Sequence, residues 1–165
     1  FRFRPLDSEK VLEKVMEVAN SEGVELEETA ARAIADVSLG DLRKAITSLQ
    51  VAASLDSHVT RDLVYETTAT APPEELHGFF LACKEDGFQP ARRRMREILD
   101  RFGLAGTDLV NQLHRELGKV TFLDEPQKLK VTEAMAECDF RMVEGGGESL
   151  QLDAMAARIC GMLGN

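Results

Sequence analysis

One hundred and sixty-five residues with a formal net charge of −9 allow one ordinary domain or two small ones. The apolar share is 44% and the charged share 30%, the balance of a globular chain, and no apolar run is long enough to cross a bilayer. An acidic total argues against a chain that clamps nucleic acid by itself, although it leaves room for one locally basic surface. Tryptophan is absent and there is one tyrosine. Leucine, alanine and methionine carry much of the apolar content, as in a helix former rather than a sheet former. Cys83, Cys138 and Cys160 lie far apart with no CxxC spacing, and the histidines fall at 58, 77 and 114. That is no zinc pattern, and buried free thiols in a reducing compartment is the simple reading.

Taken in order, Phe1-Arg2-Phe3-Arg4 alternates aromatic and basic and is expected to be a strand end closed by Pro5. A strand without partner strands, in a chain that opens without an initiator methionine, is expected to belong to a piece of a longer protein. The first helix is expected from Asp7, as cap, to about Asn20, with Val11, Leu12, Val15, Met16 and Ala19 inward. A second spans about Glu27 to Val37, burying Ala30, Ala33, Ile34 and Val37. Ser38-Leu39-Gly40 is the turn into a third.

That third helix is the centre of the reading. Gly40 relieves the backbone, Asp41 can cap the first turn, and Leu42, Ala45, Ile46, Leu49 and Ala53 form one apolar face. Arg43 falls in the first turn, the end where the helix dipole disfavours a cation. From chemistry alone it is either a solvated or ordinarily paired arginine, or one aimed at an anion outside the chain. The helix stops near Leu55-Asp56-Ser57. Thr60 then caps a short helix carrying Leu63 and Val64, with Val59 placed as a hydrophobic staple.

Ala69-Thr70-Ala71-Pro72-Pro73 marks a boundary, with Pro73 suited to a first helical position. It divides the chain into 1–70 and 71–165. Beyond it a helix with Leu76, Phe79, Phe80 and Cys83 precedes one with Ala91, Met95, Ile98, Leu99 and Phe102 inward. The second carries Arg92, Arg93, Arg94, Arg96 and Arg101 on its other faces. Those arginines are the one concentrated basic feature; DNA phosphates, acidic residues of a neighbouring subunit and solvent all remain open as their surroundings. Thr107 is expected to cap the next helix, and Pro126 to start a longer one. The apolar positions from Leu129 to Val143 cover more than one face, so that helix is either central in its bundle or covered on its second side by another molecule. Gly145-Gly146-Gly147 separates it from a last helix with Leu150, Leu152, Met155, Ala156, Ile159 and Met162. Residues 73 to 165 thus read as a five-helix bundle.

Complete catalytic machinery is not legible. No GxxxxGK[ST] phosphate loop or GxSxG elbow occurs. The carboxylate pairs Glu27-Glu28, Glu74-Glu75 and Asp124-Glu125 are sequence neighbours that point different ways on a helix.

Gly40-Asp41-Leu42-Arg43-Lys44-Ala45-Ile46 resembles the second-sensor motif in the helical lid of AAA+ ATPases, in the version of the small subunit of the replication factor C clamp loaders. Phe1-Arg-Phe-Arg-Pro-Leu6 is similar to the crossover that leaves the ATPase core in that family. Asp139-Phe-Arg-Met-Val-Glu-Gly145 and Ser149-Leu-Gln-Leu-Asp-Ala154 are similar to its last two helices. The resemblance implies an all-α chain, with an AAA+ lid at about 5 to 68 followed by a five-helix collar at about 73 to 165. It implies that Arg43 approaches the γ-phosphate of ATP, with Gly40 and Asp41 as motif support, while the phosphate loop and the magnesium-binding acids lie in an upstream core. On that basis ATP and Mg belong to the longer protein, and this piece alone is inactive. The implied partners are other clamp-loader subunits through the collar, and the sliding clamp and primer-template DNA through the core, with no membrane. The implied setting is an archaeal cytoplasm or a eukaryotic nucleus. Asp139, Phe140 and Arg141 are expected in packing and interfaces. The competing readings are a stand-alone helical protein-interaction module, and the lid of another AAA+ ATPase such as a helicase loader.

Overall fold

The computed structural model describes residues 6–164, so the expected strand at Phe1–Arg4 lies outside the described residues. The described chain is helical and falls into two compact units, 1–70 and 71–165.

In the first unit, helices α1 (Ser8–Glu22), α2 (Glu28–Ser38), α3 (Leu42–Leu55) and α4 (Arg61–Thr67) surround an alanine-rich core. Helix α2 packs against α1, α3 and α4. Ala30, Ala31 and Ala33 let its neighbours approach closely while Ile34 fills the centre, and Val11, Val15, Ala45, Leu49 and Val64 close around them. Burying each Val, Leu or Ile contributes roughly 1.5–3 kcal/mol, which these short helices need because none is stable alone. Asp7 caps α1 by accepting from the Glu9 amide at 3.4 Å, and Thr60 caps α4 by accepting from Leu63 N–H at 3.3 Å.

Two short strands depart from the purely helical expectation. β1 (Glu25–Leu26) and β2 (His58–Val59) pair in parallel, with Glu25 opposite His58 and Leu26 opposite Val59. The entries to α2 and α4 lie side by side, both extended (Glu27 φ −63°, Thr60 φ −94°). Glu25 N–H donates to Ser57 O at 3.1 Å and Glu27 N–H to Val59 O at 3.2 Å. Val59, fully buried, anchors the pair. Two residues cannot establish an alternation, so no strand pattern is visible in the sequence here.

The second unit is a bundle of α5 (Pro73–Glu85), α6 (Phe88–Phe102), α7 (Gly106–Leu117), α8 (Glu125–Val143) and α9 (Glu148–Leu163). Phe79 and Phe80, with ring centroids 5.6 Å apart and tilted 60°, are buried with Met95, Ile98, Leu109, Leu113, Met135, Leu152 and Ile159. Pro73 starts α5 as expected, and the buried Gln112 side chain fixes the entry by accepting from Ala71 N–H at 2.8 Å. The central element is α9, which packs against α5, α6, α7 and α8, whereas α8 packs mainly against α7 and α9.

Thr107 does not cap α7. The helix begins at Gly106 with Ala105 at the cap position, and the free Gly106 amide donates to Glu148 Oε2, reaching over from α9, at 2.9 Å. The cap is tertiary, so the local sequence could not reveal it. At α8 the cap is local and reciprocal: Asp124 Oδ1 accepts from Gln127 N–H at 2.8 Å and Gln127 Oε1 from Asp124 N–H at 3.0 Å. Asp124→Ala is expected to destabilise this unit by about 1 kcal/mol, read as a lower urea midpoint at unchanged slope.

Between α8 and α9 the glycines form a closed turn. Gly145 has φ 93°, Gly146 N–H donates to Arg141 O at 2.8 Å and Gly145 N–H to Met142 O at 3.1 Å. A Cβ on Gly146 would come within 2.7 Å of the same Arg141 carbonyl, so the turn needs glycine there.

Candidate functional site

Helix α3 is entered through an unusual turn. Leu39 ends α2 in the left-handed region at φ 55°, Gly40 follows at φ 81°, and Asp41 is extended at φ −88°. Two successive left-handed residues let one helix stop and the next begin almost at once. A leucine there costs on the order of 1–2 kcal/mol relative to glycine, and its side chain is 61% exposed, so burial returns little. The chain arriving at this unit is tied to the same turn: Leu6 N–H donates to Gly40 O at 3.0 Å.

Asp41 caps α3 by accepting from Lys44 N–H at 3.1 Å through Oδ1. Arg43 stands exposed in the first turn. Among the described residues its guanidinium has neither a hydrogen bond nor an ion pair; only its backbone carbonyl is used, accepting from Thr47 Oγ1 at 2.9 Å. No acidic residue occupies that turn. The positive end of the helix and Arg43, unpaired among the described residues, both add to the positive potential at this turn. A planar guanidinium fork matches two phosphate oxygens. Lys44, one residue on, is turned about 100° around the helix.

The arginines of α6 are resolved differently. Arg92 Nε donates to Asp153 Oδ2 at 2.9 Å. Arg96 Nη2 reaches both oxygens of the same carboxylate, at 3.1 and 3.0 Å, and Ser149 Oγ at 2.8 Å. Arg94 Nη2 donates to Glu75 Oε2 at 3.1 Å, and Arg93 is exposed. The partners of three of these arginines are therefore acids of their own bundle on α5 and α9, a surrounding distinct from DNA, a neighbouring subunit or bulk solvent. Half-exposed pairs of this kind are worth about 0–1 kcal/mol each, so they orient α6 against α9 more than they hold it. Arg94 also lies where a Gly78 side chain would be: a Cβ there would be 2.3 Å from the guanidinium. Gly78→Ala is expected to be close to neutral in thermal melts. The helix gains about 1 kcal/mol in propensity, while the flexible Arg94 swings away from Glu75 and gives up about the same.

Helix α8 carries apolar residues on two sides. Val131, Ala134, Met135 and Cys138 are buried in the bundle, while Leu129, Phe140 and Val143 face outward at 66%, 62% and 69% exposure. Leu150, across the glycine turn on α9, is 69% exposed. Of the Asp139-Phe140-Arg141 motif, Arg141 pairs with Glu137 at 2.7 Å and Phe140 belongs to the outward stripe. Among the described residues no group of three or more His, Cys, Asp or Glu is placed to hold a metal ion. None of the described helices is long and apolar enough to cross a membrane.

The geometry agrees with the comparisons. A family described as "RCF1/5-like, AAA+ ATPase lid domain" matches residues 10–54, which include the turn and Arg43. A family described as "Replication factor C C-terminal domain" matches residues 71–158. The chain is 39% identical over 158 residues to the replication factor C small subunit of Pyrococcus horikoshii, covering 96% of this chain and 18% of that protein. It is 38% identical to the one from Staphylothermus marinus, covering 96% of this chain and 48% of that protein, and 33% identical to the one from Methanocella arvoryzae, covering 95% and 48%. The chain thus spans from about a fifth to about half the length of these relatives. With both halves matched in order and the larger match covering more than half of its residues, the chain belongs to the replication factor C family, as an AAA+ lid followed by the C-terminal domain.

Proposed function

We propose that the chain is the lid and assembly region of a clamp-loader small subunit. Its first unit reads ATP held by an ATPase core, and its second joins the subunits of the ring. The observation that carries this reading is Arg43: a guanidinium without a partner among the described residues, at the positive end of α3, on a turn hydrogen-bonded to the incoming chain at Leu6. ATP fits that site because its terminal phosphate is the doubly charged, forked acceptor an arginine prefers. Mg would be held by the ATPase core, since the described residues offer it no cluster of ligands.

In this reading, ATP supplies the phosphoanhydride whose cleavage resets the assembly. Arg43 binds and orients the γ-phosphate, Asp41 holds the first turn of α3 in register, and Gly40 gives the turn the conformation that aims it. Because Leu6 is tied to Gly40 O, a change in the angle of the incoming segment would bear directly on the turn that carries Arg43. The second unit would meet other clamp-loader subunits through the outward stripe of α8. The sliding clamp and primer-template DNA would be engaged by the core, in an archaeal cytoplasm or a eukaryotic nucleus. Replacing Arg43 in the protein joined to its ATPase core tests the reading; ATP affinity and turnover equal to those of the parent would sink it.

A further inference from the structure

We propose that the second unit joins a second copy of this chain head to tail. The arginine-bordered groove between α8 and α9 of one copy meets the acid-rimmed groove on α5 and α6 of the next. The inference deepens the assembly reading above and rests on it. A closed ring of more than two like chains needs two different surfaces on each chain, because a surface that meets its own copy closes a pair and stops. The outward stripe of α8 belongs to one such surface, so the other has to lie elsewhere on the bundle.

The first surface is not apolar alone. Between α8 and α9 runs a groove of about 270 Å³, floored by Ala134, Ala154 and Met155 and bordered by Arg141, Gln151 and Arg158. Arg141 pairs with Glu137 at 2.7 Å. Arg158 is exposed and has neither a hydrogen bond nor an ion pair among the described residues. Phe140 adjoins Arg141 in the chain and is 62% exposed. An aromatic ring and cations are therefore offered side by side.

The complementary surface is on α5 and α6, where a groove of about 530 Å³ is lined by Glu75, Glu97, Ile98, Asp100, Arg101 and Phe102. Ile98 and Phe102 are buried and form its floor. Glu75 is engaged by Arg94 at 3.1 Å, and the Arg101 guanidinium lies 5.1 Å from the centre of the Phe102 ring. Glu97 and Asp100 stand three residues apart, and so on one face of α6. Both are exposed, and neither has a partner among the described residues. Helix α6 packs on α5 and α9, whereas α8 packs on α7 and α9, so the two grooves occupy different sides of the bundle.

Joined head to tail, Arg141 and Arg158 of one copy face Glu97 and Asp100 of the next, and Phe140 is directed toward the groove floored by Ile98 and Phe102. Opposite charges across the contact fix its register and suppress wrong pairings. A pairing of α8 with α8 instead gathers the arginines of both copies at one contact, where like charges repel.

The experiment is light scattering behind size exclusion on the full chain and on two charge-reversed variants, Arg141→Glu/Arg158→Glu and Glu97→Arg/Asp100→Arg. All four positions are exposed, and circular dichroism checks that each variant is folded as the parent is. The parent is expected to associate, and to do so more weakly as salt is raised. Each variant alone should need a concentration raised roughly 10-fold or more, because both of its grooves then carry one sign of charge. Mixed in equal amounts, the two variants should recover association, since every contact between unlike copies again joins opposite charges. General destabilisation gives no such recovery. A Glu97→Arg/Asp100→Arg chain that associates as the parent does, or a mixture that fails to recover, overturns the head-to-tail contact and leaves the α8 stripe as an assembly surface. A parent that stays monomeric at every concentration overturns both.

Discussion

Arg43→Ala, made in the protein that joins this chain to its ATPase core, is expected to weaken ATP binding or turnover by roughly 10- to 100-fold. The range follows from losing charge-assisted hydrogen bonds worth about 1.5–3 kcal/mol. Little else should change. The side chain is exposed and, among the described residues, makes no hydrogen bond or ion pair, and removing a cation from the first turn relieves about 0.3–1 kcal/mol of unfavourable dipole interaction. Thermal stability without nucleotide should therefore be equal or slightly higher. That combination, weaker ATP and an undiminished melting temperature, separates a sensing residue from a structural one. Arg43→Lys makes the distinction sharper, since it keeps the charge but loses the fork, and is expected to recover only part of the loss. Should both variants match the parent in affinity and turnover, Arg43 has no nucleotide role.

Asp41→Ala acts by a different route. It removes the acceptor for Lys44 N–H at 3.1 Å, so the expected cost is about 1 kcal/mol in helix stability, accompanied by loosened aim of Arg43. Nucleotide affinity should fall less than for Arg43→Ala while the melting temperature falls more. The opposite pattern would assign the anion contact to the cap residue.

Much of this was legible because the controlling interactions are local. The helical periodicity of Val11, Val15 and Ala19, the caps at Asp7, Asp41 and Thr60, and Pro73 at the head of α5 are each decided within a few residues. The Gly40-Asp41 signal gave the turn and the helix start. It did not reveal that Leu39 also takes a left-handed conformation, because leucine carries no mark of it. What stayed hidden depends on contacts between distant residues: the pairing of β1 with β2, the capping of α7 by Glu148, and the capture of Arg92 and Arg96 by Asp153. Asp153 sits one helical turn after Ser149, a spacing that puts both on one face, but nothing local says this face meets α6. The two-sided apolar pattern of α8, by contrast, was plain, and the central place in the bundle belongs to α9, not α8.

A peripheral helix with an apolar outer stripe is what makes Phe140→Glu the most informative change in the second unit. Phe140 is 62% exposed, with Val143 and Leu129 on the same side of α8 and Leu150 beyond the turn. An aromatic residue at the centre of a buried contact commonly contributes 2 kcal/mol or more, and a carboxylate in its place adds the cost of desolvating a charge. If the second units join through this stripe, the concentration at which the chain associates should rise by at least roughly 30-fold, which is 2 kcal/mol expressed as an equilibrium. The melting temperature of the monomer should stay within about 1–2 °C, because an exposed side chain contributes little to its own fold. Val131→Ala, on the opposite side of α8 and fully buried, provides the contrast: it should lower stability by about 1–3 kcal/mol and affect association only through that loss. Light scattering behind size exclusion at several loading concentrations reads both variants against the parent. A parent chain that stays monomeric at every concentration, or a Phe140→Glu variant that associates as the parent does, would remove the stripe from the assembly surface.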